Sequence, residues 1–125
     1  PAPVIDMLGL TESINVFIGV PTDPFSNHPW IKYPHPLTYV ALLNSPNDLT
    51  PVDNPVPGKE YLLFYVNLMT LDYVEAIIPG DFVLASKKEN SIETALGSRN
   101  ISQAGFIYSR RAEQNEGFKI REGCG

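Results

Sequence analysis

One stretch, PFSNHPWIKYPHP at 24–36, holds both histidines of the chain, its only tryptophan and four prolines. With Asp23 just upstream, Ser26 and His28 are the residue types of a nucleophilic triad. In such a triad the histidine takes the serine proton and the carboxylate orients the ring. In an extended segment alternate side chains share a side, so Ser26 and His28 would lie within reach. No G-x-S-x-G elbow accompanies them, and nothing marks an oxyanion hole. A polar loop with a structural histidine accounts for the same residues, and no catalytic residue is assigned.

Metal ligation is the second chemistry that Asp23, His28 and His35 suggest. Six residues separate the histidines, a spacing that matches no zinc signature. Asp48, Asp53 and Asp81 make no calcium loop, since NSPNDLTPVDN lacks the central glycine and final glutamate of that pattern. No metal and no cofactor is expected. Asn100–Ser102 is a glycosylation triplet of a kind that arises often by chance. Cys124, the single cysteine, has no charged neighbourhood to activate it and no partner for an internal disulfide.

The third chemistry is contact. Phe25, Trp30 and Tyr33, with Tyr39 nearby, offer large area at low side-chain entropy cost, as interface aromatics do. The prolines restrict the unbound loop and so lower the cost of ordering it. His28 and His35 would add a pH response, an unperturbed imidazole titrating near about 6.5. The expected binding residues are therefore Phe25, His28, Trp30, Tyr33 and His35. The competing reading makes Trp30 a lid folded back over the core.

The elements that must position these residues follow from composition and pattern. A chain of 125 residues with 43% hydrophobic side chains fits one domain, 1–125, with one core. Nine basic residues spread along the chain, with Lys87-Lys88 and Arg110-Arg111 the densest spots, make no basic stripe, and with a net charge of −5 they argue against nucleic acid. No apolar run reaches the roughly 18 residues that cross a bilayer, so membrane insertion is not expected. The chain opens PAPV without methionine or a basic leader, which reads as a processed product or an excised piece.

All twelve prolines lie at or before Pro79. Many fall in 21–36 and 45–58, which read as long stiff loops. Between and after them come strand-like runs at 13–20, 37–44, 60–70, 73–78, 82–86, 104–110 and 117–122. In the first, Ile14, Val16, Ile18 and Val20 alternate onto one face. The run at 37–44 is apolar on both faces. In 60–70, Phe64 shares a face with Leu62 and Val66; if that face is the buried one, Phe64→Ala should cost about 3–5 kcal/mol. Leu62, Val66, Met69, Tyr73 and Ile77 also keep helical spacing, but aromatic content and the polar Thr70 and Asp72 favour strand. Pro79-Gly80 suits a type II turn, across which the flanking strands would pair. NSIETALGS at 90–98 is the best helix candidate, with Asn90 or Ser91 as cap and Gly97 as stop. The pattern is that of an all-β fold, an antiparallel β-sandwich or jelly-roll-like barrel with long proline-rich loops.

SINVFIGVPTDPF and EYLLFYVNLMT resemble the jelly-roll strands of small icosahedral virus capsid proteins. The whole chain, rich in proline and asparagine and sparing in charge, resembles the protruding or surface domains of those proteins. The resemblance implies self-association with other capsid copies, a place on the virion surface, and loops that meet a host surface protein or glycan. It carries over no catalytic or metal residue, because no motif is matched. The favoured reading is a non-enzymatic structural and recognition domain. The alternatives are a carbohydrate-binding module using Trp30 and nearby tyrosines, and a small hydrolase using Ser26, His28 and Asp23. Circular dichroism should be dominated by β-structure; helix content above about a third, the ordinary globular average, would overturn the fold assignment.

Overall fold

A computed structural model describes residues 7–10, 15–20, 30–68, 75–88, 90–94, 96–101 and 104–113. These residues form ten strands: β1 Met7–Leu10, β2 Asn15–Val20, β3 Ile31–Tyr33, β4 Thr38–Leu43, β5 Glu60–Asn67, β6 Glu75–Ile77, β7 Asp81–Ala85, β8 Asn90–Thr94, β9 Gly97–Ile101 and β10 Phe106–Arg111. Among the described residues there is no helix. The fold is all-β and antiparallel. One sheet runs in the order β1-β2-β3-β10-β7-β5-β4, with β6 also paired to β5.

That sheet bends back on itself. Three strands separate β2 from β5 in its order. A flat sheet would put them about 19 Å apart, at roughly 4.8 Å per strand. Instead the ring of Phe17 on β2 stands edge-on to Tyr65 of β5, centroids 5.9 Å apart, and to Phe106 of β10 at 5.2 Å. The layers so formed enclose Phe17, Leu42, Tyr61, Leu63, Tyr65, Val83, Ala85 and Phe106, with Leu8, Val40, Val52 and Ile77 packed at the margin. This is the layered core of a β-sandwich.

The register explains which side chains point inward. Thr38, Val40 and Leu42 oppose Asn67, Tyr65 and Leu63, and Tyr61 opposes Val83. The inner row of β5 is therefore Tyr61, Leu63, Tyr65 and Asn67. Phe64 lies on the other face, half-buried, opposite Ala41. The condition that the Phe64 face is the core face is thus not met, although Leu62 on that face is fully buried. The alternation read in 13–20 holds on β2. Its buried positions are Phe17 and Gly19, whereas Ile18 is exposed and Val20 only half-buried. The alternation was real; aliphatic residues occupy the outer face because one large ring fills the inner one.

Two local expectations are also corrected. The segment 90–98 is strand, not helix: Asn90–Ile101 is an antiparallel hairpin, Asn90 opposite Ile101 and Thr94 opposite Gly97. Gly97, with φ of 102°, serves the turn in place of ending a helix. β8 and β9 form a two-stranded sheet of their own, and Leu96 at its tip is 83% exposed. The strands flanking Pro79-Gly80 do not pair with each other. β6 lies along Tyr65–Asn67 and β7 along Glu60–Leu62, both antiparallel to β5. They are two halves of one strand line, interrupted where Gly80 takes φ of 79°. The Gly80 carbonyl accepts a hydrogen bond from the Ala112 N–H at 2.7 Å. The strand expected at 117–122 lies outside the described residues.

A second irregularity fixes polar groups on the outer face. Between β10 and β7 the register shifts, Tyr108 facing Val83 but Arg110 facing Phe82, so Ser109 is the extra residue of a bulge. Ser109 Oγ donates to Glu60 Oε2 at 2.7 Å, and Arg110 Nη2 and Nε donate to Glu60 Oε1 at 3.0 and 3.2 Å. The guanidinium also lies 4.4 Å over the Phe82 ring. At the end of the strand pair the buried Asp81 meets Arg111 at 3.7 Å. Partial burial, and then the Asp81 carboxylate, push the Tyr108 phenol above its ordinary range.

Phe17→Ala should cost about 3–5 kcal/mol in chemical denaturation, the range for a fully buried phenylalanine. Phe64→Ala, half-buried, should cost roughly half as much. Equal losses would mean that the inner and outer rows are misassigned.

Candidate recognition surface

The stretch that carries both histidines divides in the structure. Phe25 and His28, with Ser26 and Asp23, lie outside the described residues. Trp30 is half-buried just before β3, and its carbonyl lies 3.5 Å from the Lys32 ammonium nitrogen. Residues 31–33 are a strand inside what reads as loop, pairing with β2 on one side and β10 on the other. Tyr33 is half-buried, and its hydroxyl oxygen is buried. His35 is exposed in the turn after β3; its Nδ1 accepts the Leu37 N–H at 3.1 Å and its carbonyl accepts the Thr38 N–H at 2.8 Å. Trp30 and Tyr33 thus sit at the wall of the sheet, and His35 sits in the open.

Lys32 is a charged residue whose burial no sequence signal marked. It opposes Gly19 and Phe106 on the inner row and is 6% exposed. Gly19 leaves room beside it on β2. Gly105, next in the wall, is set by close approach: a Cβ there would stand 2.6 Å from both Ile31 Cγ2 and the Lys32 carbonyl oxygen. Only glycine lets the start of β10 come this near β3.

The outer face of the β4–β5 pair changes along its length. Leu43 opposite Leu62 is fully buried, and Ala41 opposite Phe64 is still covered. Tyr39 opposite Val66 is 52% exposed, and beyond it Leu37 and Leu68, joined by the bond from Leu68 N–H to the Leu37 carbonyl, are 49% and 45% exposed. A single apolar row is thus sealed at one end and open at the other, with His35 beside the open end. The sequence held the signal for it: 37–44 is apolar on both faces, and one sheet face cannot cover both. The expected set named Tyr39 only as a neighbour and missed Leu37 and Leu68.

Next to this row lies a cleft of about 460 Å³. Val40, Leu42 and Tyr39 line one side, Pro51, Val52, Asp53 and Pro55 a second, and Pro34 with Ala104–Phe106 a third. The 44–59 connection that forms the second wall is held at several points. Val52 N–H bonds the Leu42 carbonyl at 2.9 Å, Val56 N–H bonds the buried Tyr61 hydroxyl at 2.9 Å, and Gly58 N–H bonds the Ala85 carbonyl at 2.9 Å. Pro57-Gly58 makes the turn here, with Gly58 at φ of 81° and Lys59 N–H bonded to the Val56 carbonyl at 3.1 Å. Asp48 closes a smaller turn by accepting the Thr50 N–H at 3.0 Å. That bond, with a second from the Thr50 side chain, holds the Asp48 carboxyl below its ordinary 3.8.

In comparison with known proteins, no family model, curated protein or solved structure matches the chain. The surface must be read from its own chemistry. Among the described residues no three His, Cys, Asp or Glu side chains converge as metal ligands. Asp48, Asp53 and Asp81 are instead a turn clamp, a cleft lip and an ion-pair partner. Among the described residues no helix is long and apolar enough to cross a membrane.

Gly105→Ala should destabilise by about 1–3 kcal/mol, the range for overpacking a close-fitting site, with the largest shifts in β3 amide resonances; an unchanged melting temperature would contradict the close approach. A depressed carboxyl contributes above its unfolded value and loses that contribution as pH falls through its folded value. The Thr50 amide should therefore be protected from exchange above pH 3.8 and lose protection on further acidification. Asp48→Asn should remove that pH dependence.

Proposed function

We propose that this chain is a non-enzymatic structural and recognition module that associates with other protein surfaces through the open end of the β4–β5 outer face. The observation that carries the reading is the apolar row that ends exposed at Tyr39, Leu37 and Leu68. Contiguous exposed apolar side chains rimmed by polar ones are what association surfaces look like, and a half-exposed tyrosine beside aliphatic residues is a common anchor. Tyr39 lies on β4, and Leu37 and Leu68 adjoin the strand ends and are tied to each other by a backbone hydrogen bond, so little ordering entropy opposes binding. His35 extends it, its Nδ1 accepting the Leu37 N–H at 3.1 Å. The resemblance to capsid surface domains gives this reading its setting: copies of the chain on a virion, meeting each other and a host protein or glycan.

A Leu37→Ser/Tyr39→Ser variant tests it. Its fold should hold, because substitutions at exposed positions move stability by about 0.5 kcal/mol or less. Sedimentation velocity on the natural chain should show association that weakens with dilution, and the variant should weaken it roughly tenfold or more, as loss of an interface anchor does. A natural chain that stays monomeric, or equal association in both, would reject this surface.

A further inference from the structure

The cleft beside the open row has a polar side that apolar contact alone does not use. One step beyond the β4–β5 ladder the Leu68 N–H donates to the Leu37 carbonyl at 2.8 Å, which sets the hydrogen-bonding phase of the ladder that follows. In an antiparallel ladder such pairs alternate. Tyr39, Ala41 and Leu43 therefore bond inward to β5, while Thr38, Val40 and Leu42 turn their backbone groups to the free edge. Two further bonds agree with this phase: the Thr38 N–H reaches the His35 carbonyl, and the Leu42 carbonyl takes the Val52 N–H. The chain thus occupies both ends of its own edge. Between them, among the described residues, the N–H and carbonyl of Val40 and the N–H of Leu42 have no backbone partner. They face the cleft, whose far wall is Pro34 and Ala104–Phe106.

We infer that the cleft takes one extended peptide segment of a partner protein as an added strand, paired to β4 through Val40 and carrying a lysine or arginine opposite Asp53. Exposed edge donors and acceptors are the template for strand addition. The bounded width favours a single short segment over the edge of a second sheet, since Val52 already covers Leu42 and the turn at His35 covers Thr38. Val40, Leu42 and Phe106 give apolar contact to alternate side chains of the guest. Pro34, Pro51 and Pro55 keep the walls stiff and present no N–H to compete. Among the cleft-lining residues Asp53 is the one charged side chain, in a chain of net charge −5, so the complementary guest is basic.

This inference deepens the recognition reading, and its test separates the two. The probe is the capped peptide Thr-Val-Lys-Val-Thr, with two backbone N-methylated versions, one methylated at odd and one at even positions. Binding is followed by titration calorimetry and by exchange of the Val40 and Leu42 amides in the natural chain. The unmodified peptide should protect both amides. One methylated version should bind as well as the parent, and the other should lose roughly tenfold or more, as removal of paired backbone hydrogen bonds requires. Asp53→Asn should weaken the lysine peptide about two- to fivefold, the range of an exposed ion pair, and leave a version with norleucine for lysine unchanged. Val40→Pro, which removes an edge N–H where proline is tolerated, should abolish binding. The two methylated peptides on the natural chain are an independent measure that needs no change to the fold. No binding, binding without protection at Val40, or equal loss from both methylation patterns overturns the inference. If it falls while Leu37→Ser/Tyr39→Ser still weakens association, the recognition surface stands alone. If peptide binding holds while that variant changes nothing, the surface reading falls and the edge site remains.

Discussion

The edge-on packing of Phe17 against Tyr65 and Phe106 is the contact on which the fold turns. It joins a ring near one end of the sheet to rings across its middle and far side. Without it, β1 and β2 would be a ribbon attached only through β3. With it, the bent sheet has an inside, and every later assignment of inner and outer rows follows. The bend also leaves a gap where the β4 edge faces the start of β10, and that gap is the cleft. Core and site are therefore products of one curvature.

Much of the strand content was legible because it rests on local chemistry. β4 and β5 fall within the runs of β-branched and aromatic residues, β7 and β10 overlap them, and the proline-rich segment at 45–58 lies outside the strands. Which face is buried was not legible for β2 or β5. At β2 the aliphatic alternation marked one face without saying which side lies inside, and it is Phe17 that is buried while Ile18 is exposed. At β5 nearly every residue is apolar, so the period carries no information and the partners across the ladder decide. The segment 90–98 misled for a related reason: Asn, Ser and Gly that suit a helix cap and stop also suit a hairpin and its turn.

The candidate site was legible only in part. The crowded stretch at 24–36 drew attention through its rare residues, but one of its pieces is a strand of the main sheet, with Trp30 and Tyr33 partly covered there. The exposed row at Leu37, Tyr39 and Leu68 consists of common residues with no motif. It emerges only when the two strands are set in register and the cover is seen to end. The Val40 edge groups belong to the backbone and leave no trace in side-chain identity at all.

The hairpin Asn90–Ile101 has a different meaning for the history of the chain. Its strands pair with each other and add nothing to the ladder of the main sheet. An element of that kind can lengthen, shorten or change its tip without disturbing the register of the other strands. Descendants of this sequence should differ most in length here, and a foreign epitope grafted at Leu96, 83% exposed, would be open to solvent.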